Sequence, residues 1–322
     1  KSIEEEDVTF NLDSWKKEVL RWVREKKPWP ISRQTVFGIR IPAWYEINKG
    51  VNPEIQVTFI TKGSEYKTGN VYEVLESHSL SEIKAGLQKI IAPANSKYVI
   101  RIESPGENYI QETDTFDTWF SSGQWPLTTL GYPNSEDFKK YYPTDFLDSA
   151  YDIIFFWIAR MILFGLYLTK KVPFKMVYFH GLITDKHGKK MSKSKGNSVD
   201  PIEFVEKYGA DALRMGIIVG GNTEAKLTPL DEDKVRGYRN FANKIWNIGR
   251  FINMKAVEGG GIKNLELGSA DLKPEDKKIL DELNKLISDV TNYLDNLKFK
   301  FAGEAIYEFI WEKLANTYLE AI

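Results

Sequence analysis

Residues 185–201 read DKHGKKMSKSKGNSVDP and separate a buried-strand pattern from a helix start. The stretch lacks apolar periodicity, and glycine and serine punctuate its five lysines, Lys186, Lys189, Lys190, Lys193 and Lys195. It therefore predicts a mobile surface loop. Before it, VPFKMVYFHGLITD predicts a buried strand at Met176 to Phe179 that ends at His180 and Gly181, and after it Asp200-Pro201 is typical of a helix start. In an open parallel sheet, ligands bind at the carboxyl ends of strands, so a ligand is expected beside His180.

The lysines of this loop suit phosphate chemistry. Each is a compact positive charge on a flexible stem, and several on one loop can follow phosphate oxygens as charge moves between them. Runs of charge are nevertheless usually only solvated. The lysine pattern by itself leaves a phosphate site and a solvated loop as alternatives.

Composition predicts a globular protein of two domains, because 322 residues exceed the length of one ordinary domain. The formal net charge is −1, so binding to nucleic acid would require local basic patches. The sequence has no cysteine, and His78, His180 and His187 are too scattered for a metal cage. We therefore expect no disulfide, no thiolate zinc site and no protein-bound metal.

Residues 144–170, TDFLDSAYDIIFFWIARMILFGLYLTK, predict one buried and nearly all-apolar helix. Asp152 and Arg160 interrupt it, so we count no apolar run that reaches the roughly 18 residues of a membrane span. The acidic opening KSIEEED is unlike a signal peptide. These features favour a cytoplasmic protein without a membrane partner.

Three further regions have recognisable patterns. Residues 13–26 carry apolar side chains at helical spacing and predict an amphipathic helix. Residues 46–109 alternate EIQVTFI and SKYVIRIES around a helical SLSEIKAGLQKII, which predicts a small α+β insertion. Thr228-Pro229 are interpreted as a helix cap and first helical residue, and the apolar spacing after them predicts an up-and-down helical bundle over 231–322.

Two tryptophan segments are candidates for an apolar pocket. In QETDTFDTWFSSGQWP, residues 111–126, a turn of small residues follows Trp119 and would let the backbone approach a ligand closely. Trp29 lies between Pro28 and Pro30, which prevent helix. From the residues alone, residues 111–126 could equally be an ordinary strand end followed by a turn. The segment around Trp29 could equally be a tryptophan-rich part of the core.

Four motifs resemble those of one family. Lys190 to Ser194 spell KMSKS, which resembles the ATP loop of the class I aminoacyl-tRNA synthetases. The segment WPISRQ followed by GIRIPAWY is similar to the point where the valyl and isoleucyl members re-enter the catalytic fold after their editing insertion. DTWFSSG, residues 117–123, resembles the form found in valine-specific members, whereas the isoleucyl form usually reads WFDSG. KVRGYRNFANKIWN, residues 234–247, resembles the start of the anticodon-binding helical domain.

This resemblance implies an α/β architecture. Residues 1–230 would be the second half of a Rossmann-like parallel-sheet catalytic core with the insertion at 46–109, and residues 231–322 an incomplete anticodon-binding-type bundle. The implied reaction is activation of valine by ATP, with Mg²⁺ carried by ATP, and transfer of valine to tRNA(Val). Isoleucyl and leucyl enzymes, and a noncatalytic tRNA-binding relative, remain alternatives. The HIGH motif and the editing domain are absent, so the remainder of the synthetase chain is an implied partner and inactivity of the piece alone is expected.

The resemblance also assigns residues. Those implied for catalysis are Lys190 and Lys193, and those implied for ATP binding also include Asp152, His180, Gly181, Met191, Ser192 and Ser194. Those implied for the amino acid or its adenylate are Trp29, Glu112 and Trp119, and those for tRNA are Arg236, Arg239 and Lys244. The chain departs from the family where Ser149-Ala150 replace the usual Thr-Gly, and where no cysteine is present to bind the zinc found near the insertion in many relatives.

Overall fold

The computed structural model describes residues 1–25, 28–185, 187–189, 191, 197–198, 200–221, 226–258 and 272–322. Its strands are β1 (Thr9–Phe10), β2 (Ser32–Arg33), β3 (Ala43–Glu46), β4 (Gln56–Ile60), β5 (Tyr66–Asn70), β6 (Leu87–Ile91), β7 (Tyr98–Ile100), β8 (Tyr109–Gln111), β9 (Thr115–Phe116), β10 (Thr144–Ala150), β11 (Phe174–His180), β12 (Leu182–Thr184) and β13 (Leu227–Pro229).

The α-helices are α1 (Asp13–Glu25), α2 (Val71–Val74), α3 (Leu80–Gly86), α4 (Thr118–Ser122), α5 (Trp125–Thr128), α6 (Glu136–Tyr141), α7 (Ala159–Thr169), α8 (Pro201–Tyr208), α9 (Ala210–Ile218), α10 (Glu232–Glu258), α11 (Pro274–Asp295), α12 (Phe299–Glu308) and α13 (Leu319–Ala321). A 3₁₀ turn (Tyr151–Ile153) and a π-helical segment (Ile154–Ile158) precede α7, and a second π-helical segment (Phe309–Tyr318) follows α12. The helix predicted over residues 13–26 is confirmed as α1.

The chain divides into two compact units. The first unit comprises Lys1–Glu18, Asp145–Ile154 and Lys175–Ile322, and the second comprises Val19–Thr144 and Phe155–Phe174. The division at residue 230 that the motifs suggest stays a prediction.

The first unit is built on parallel strands. β11 lies between β1 and β10, and β1 pairs with it in parallel, with Phe10 opposite Val177. Val177 and Phe179 are buried, and Phe10 stacks on Phe179 with ring centroids 6.1 Å apart. β12 and β13 form a second parallel pair. The buried strand predicted at Met176 to Phe179 is confirmed within β11, as is the α/β class.

The helix predicted from residue 144 begins later than expected. Residues 144–150 form β10, where Leu147 and Ser149 are buried and Phe146 and Asp148 are exposed. This alternation has the two-residue period of a strand. The prediction missed it because a continuous apolar run follows directly and was read together with it as one helix. The helical segment therefore starts at Tyr151, where the period changes.

That segment also corrects an expectation about membranes. Among the described residues, Tyr151–Thr169 is 19 residues of helix, long and apolar enough to cross a membrane by length and composition. The expectation that no apolar segment reaches the length of a membrane span is therefore wrong. The expectation that this helix is buried is also wrong in part, because Leu163 and Tyr167 are exposed. Core helices of globular proteins meet the same criterion, so the finding is weak evidence for a membrane.

The helix predicted to start at Thr228 also begins later. Thr228 and Pro229 belong to β13 and pair with Ile183 and Thr184 of β12. A proline is tolerated as the last residue of an edge strand, since its missing N–H breaks no further ladder bond. The cap is Asp231, whose carboxylate accepts the Asp233 backbone N–H at 3.0 Å, and α10 begins at Glu232.

The predicted helical bundle is confirmed in the described part of the chain. α10 packs against α9 and the second π-helical segment, and α11 packs against α12. Phe241 of α10 is buried, and its ring centroid lies 4.6 Å from that of Tyr307 and 6.3 Å from that of Trp311. Tyr318 donates a hydrogen bond to Asp276 at 2.7 Å, which ties the last turns to the start of α11.

The insertion folds as the small α+β element that the sequence predicts. β4 pairs antiparallel with β5 and β6, and β3 pairs antiparallel with β7 and β8. Its core is a cluster of seven buried apolar residues, Ile55, Val57, Phe59, Val71, Ile83, Ile90 and Ile110. Within the described residues, no group of three or more histidine or acidic side chains could hold a metal ion.

Candidate active site

The carboxyl end of β11 is held by one side-chain amide. Asn11 donates to the carbonyl oxygen of Phe179 at 3.1 Å and accepts the Phe179 backbone N–H at 3.0 Å. This pair of bonds continues the hydrogen bonding of the sheet just past β1, which has only two residues. His180 and Gly181 follow directly, and the His180 ring nitrogen Nδ1 lies 3.0 Å from the Gly181 carbonyl oxygen. The strand end that the sequence predicts as a ligand site is therefore fixed in position.

A cavity of about 430 Å³ lies beside this strand end. Its walls are mostly aromatic and aliphatic, among them Tyr178, Ile183 and Phe299. Asp148 and His180 supply charged or polar groups at its lining. A mostly apolar recess with a few polar groups is typical of a small-molecule site. Asp152 lies in the 3₁₀ turn that follows the neighbouring strand β10.

Asp185 anchors the start of the lysine stretch. Its carboxylate accepts the backbone N–H groups of His187 and Lys189, each at 2.9 Å, and the side-chain amide of Asn197 at 3.0 Å. The bond from Asn197, with that from Lys189, holds the pKa of the Asp185 carboxyl below its usual value. Of the predicted ATP-loop residues, Met191 is half-buried. Those that lie outside the described residues are Lys190, Ser192, Lys193 and Ser194.

In the second unit, Asp117 is the buried centre of the tryptophan segments. It caps α4 by accepting the Trp119 backbone N–H at 3.2 Å, and it accepts the indole N–H of Trp29 at 3.1 Å. The Arg33 guanidinium lies 2.9 Å from the other carboxylate oxygen. β2 and β9 pair antiparallel, with Ser32 opposite Phe116 and Arg33 opposite Thr115, and this pairing brings the two segments together.

The predicted pocket residues Trp29 and Trp119 meet through Phe156. The Trp119 ring stacks on Phe156 with centroids 5.4 Å apart, and Trp29 meets the same ring edge-on at 5.2 Å. Both indoles are partly exposed, so they can form one side of an apolar pocket. Nearby, Trp157 donates to the Ser122 carbonyl oxygen at 2.9 Å and lies edge-on to Trp125.

Arg160 was missed as a functional candidate by the sequence analysis. Its guanidinium carbon lies 4.8 Å from the Trp29 ring centroid, and its nitrogen donates to the Phe155 and Phe156 carbonyl oxygens at 2.8 Å. Burial lowers the pKa of the Arg160 guanidinium, and the charge of Asp117 opposes that shift. A charged residue inside the apolar run FFWIARMILF was the available signal.

Glu112 is bound by protein donors. Its carboxylate accepts the backbone N–H groups of Thr113 at 2.7 Å and Asp114 at 3.1 Å, and the hydroxyl of Tyr45 at 3.0 Å. Burial, with the charge of Glu112, raises the pKa of Tyr45 above its ordinary range. The carboxylate thus shapes the turn before Asp117, and its contact with an adenylate stays a prediction.

The three residues predicted to meet tRNA differ in their surroundings. Arg236 pairs with Asp233 at 2.9 Å on the same face of α10. Lys244 donates to the Asn316 side chain at 2.6 Å and lies 4.5 Å from the Trp311 ring centroid, so it takes part in the packing of the bundle. Arg239 is exposed. A contact of any of them with RNA stays a prediction.

Comparison with known proteins identifies the family. The family model described as tRNA synthetases class I (I, L, M and V) matches residues 1–227, and the model described as anticodon-binding domain of tRNA ligase matches residues 276–322. The chain belongs to the class I tRNA synthetases of the I, L, M and V group. It is 41% identical over 318 residues to the valine--tRNA ligase of Bacillus subtilis (strain 168), covering 98% of this chain and 31% of that protein. It is 38% identical over 324 residues to the valine--tRNA ligase of Thermotoga maritima, covering 99% of this chain and 32% of that protein.

Solved structures agree on the fold. The chain aligns with the ternary complex of Agrobacterium radiobacter K84 agnB2 LeuRS-tRNA-LeuAMS with a TM-score of 0.61 and 19% identity, over 94% of this chain and 39% of that one. It aligns with Mycobacterium tuberculosis methionyl-tRNA synthetase in complex with methionyl-adenylate with a TM-score of 0.54 and 20% identity, over 88% and 62% of the two chains. The Rossmann-like class I architecture is thereby confirmed, and the chain spans about a third of the length of the curated relatives above.

Proposed function

We propose that the protein carrying this chain activates valine with ATP and transfers it to tRNA(Val). The observation that carries the proposal is the identity of 41% to a valine--tRNA ligase over 98% of this chain. The DTWFSSG motif and the junction of Trp29 and Trp119 on Phe156 agree with it.

The activation step joins the valine carboxylate to the α-phosphorus of ATP and releases pyrophosphate. It needs no covalent protein nucleophile, so positioning and charge stabilisation supply the catalysis. Lys190 and Lys193 are the groups that would stabilise charge on the departing phosphates. Mg²⁺ would arrive with ATP, since it is usually held by substrate phosphates and few carboxylates. His180 and Gly181 would bind the nucleotide at the carboxyl end of β11.

The amino-acid pocket in this proposal is apolar on the side formed by Trp29 and Trp119. An apolar pocket selects by size and cannot strongly reject an isostere that carries a hydroxyl, a limit for which the valine-specific synthetase is itself the standard example. Threonine is such an isostere of valine. The proposal therefore includes misactivation of threonine, to be removed by a separate hydrolytic activity.

ATP–pyrophosphate exchange tests the proposal. The full gene product is assayed with valine, isoleucine, leucine and threonine, and we expect the highest kcat/KM with valine and weaker exchange with threonine. A higher kcat/KM with isoleucine or leucine would show that this amino acid, and not valine, is the substrate. Absence of exchange together with measurable tRNA binding would favour the noncatalytic alternative.

A further inference from the structure

The Asp117 carboxylate joins the two tryptophan residues of the proposed amino-acid pocket, through the indole of Trp29 and the backbone of Trp119. The residue is 5% exposed, so its charge is removed from water and depends on its donors. One carboxylate oxygen accepts both the Trp29 indole N–H and the backbone N–H of Trp119, the second residue of α4. The other receives the Arg33 guanidinium. Movement of the carboxylate would therefore shift the Trp29 indole directly and the Trp119 side chain through its backbone.

Arg160 makes the second set of contacts around Trp29. Its guanidinium covers the face of Trp29, while its hydrogen bonds hold the carbonyl groups of Phe155 and Phe156. Trp119 in turn stacks on Phe156. Trp29 is therefore held at two places: its indole N–H is bonded to the Asp117 carboxylate, and its ring face lies against the Arg160 guanidinium. Cation–π and charge-assisted contacts of this kind fix orientation as well as distance.

We propose that Asp117 is a positioning residue for amino-acid selection, acting through Trp29 and Trp119. It is buried and bound to protein donors, so it sets the pocket wall without needing to contact the amino acid. The proposal rests on the valine-activating function proposed above. Discrimination by one methylene in an apolar pocket amounts to roughly 10- to 200-fold, and it requires walls held to within about 0.5 Å. A loosened pair of indoles would admit the larger isoleucine side chain.

The test compares Asp117→Ala with Asp117→Asn in the full gene product. Alanine removes every acceptor, so we expect the KM for valine to rise and the ratio of kcat/KM for valine over isoleucine to fall about tenfold or more. The KM for ATP should stay unchanged. Asparagine keeps one oxygen that can accept the two N–H groups, so Asp117→Asn should retain most of the discrimination. If Asp117 acted only through its negative charge, Asp117→Asn would lose as much discrimination as Asp117→Ala.

Two further variants serve as control and safeguard. Asp114→Ala removes a neighbouring carboxylate that binds Ser32 and Gln34 and neither indole, so its discrimination should match that of the parent. If Asp117→Ala does not fold, Trp29→Phe is the second test variant, because it keeps an aromatic ring near Arg160 but loses the indole donor to Asp117 together with the second ring of the indole. It should lower discrimination in the same direction.

The outcomes separate this proposal from the proposed function. A parent that activates valine, with unchanged discrimination in Asp117→Ala and Trp29→Phe, would overturn the positioning role alone. A parent that prefers another amino acid would overturn valine specificity, and a lowered selectivity of the variants for that amino acid would still support the positioning role. Equal losses in Asp114→Ala and Asp117→Ala would also overturn it, since they would indicate a general loss of structure.

Discussion

Replacing Ile90 by alanine should strongly lower the local stability of the insertion, whereas replacing Ile91 by alanine should change it little. The two isoleucines are adjacent in β6 and point to opposite faces, so Ile90 is 4% exposed and Ile91 is 50% exposed. Ile90 lies opposite Val57 of β4 and belongs to the buried cluster. Alanine has lower strand propensity than isoleucine at either position. The difference between the variants therefore isolates the packing contribution of the buried side chain.

The magnitude follows from the groups removed. Burial is worth about 0.8 kcal/mol for each buried CH₂, and the cavity left behind brings the cost of a buried Ile→Ala change to about 2–5 kcal/mol. A small core rarely supplies more than about 3–5 kcal/mol. Ile90→Ala should therefore consume most of the local stability of the insertion, while Ile91→Ala should cost less than about 1 kcal/mol.

Hydrogen exchange followed by mass spectrometry measures this directly in the full gene product. Peptides covering β4 and β6 should exchange roughly thirtyfold faster or more in Ile90→Ala, since each 1.4 kcal/mol is about tenfold. Ile91→Ala should remain close to the parent. Adding EDTA should not change exchange in the parent, because packing holds the insertion. Equal exchange in the two variants, or rapid exchange of the parent after chelation, would refute this reasoning.

Three further predictions concern the loop, an ion pair and a glycine. Lys193→Ala should slow adenylate formation about 100- to 1,000-fold, as does the loss of one oxyanion donor, and an unaltered single-turnover rate would remove Lys193 from catalysis. Lys207 holds the pKa of Glu232 below its ordinary value through a hydrogen bond, so the pair's stabilisation is present above the ordinary glutamate pKa and is lost as pH falls through the lowered one. Glu232→Gln should accordingly flatten the acid side of the melting-temperature profile, and an identical profile would count against the pair. Gly86→Ala should lower the melting temperature of the insertion, because the new Cβ would overlap the Ile60 backbone carbonyl; an unchanged transition would contradict that close approach.

Errors of sequence interpretation occurred where one local pattern resembled another. Residues 144–150 were taken into the apolar helix that follows, although Leu147 and Ser149 alternate with exposed neighbours. Thr228-Pro229 have the chemistry of a helix start, yet pairing with β12 places them in a strand. In both places, a partner strand distant in sequence decided the conformation, and local propensity could not include its hydrogen bonds.

The sequence by itself determined the features that depend on neighbouring residues. The KMSKS stretch, the DTWFSSG motif, the alternating strands of the insertion and the helical spacing of the bundle are all legible within a few residues. The tertiary structure alone decided which groups meet. Trp29 and Asp117 are hydrogen-bonded across 88 positions of sequence, and Arg160 reaches Trp29 from another segment. No local pattern encodes these contacts, because burial of a carboxylate and orientation of an indole are settled only when distant segments pack together.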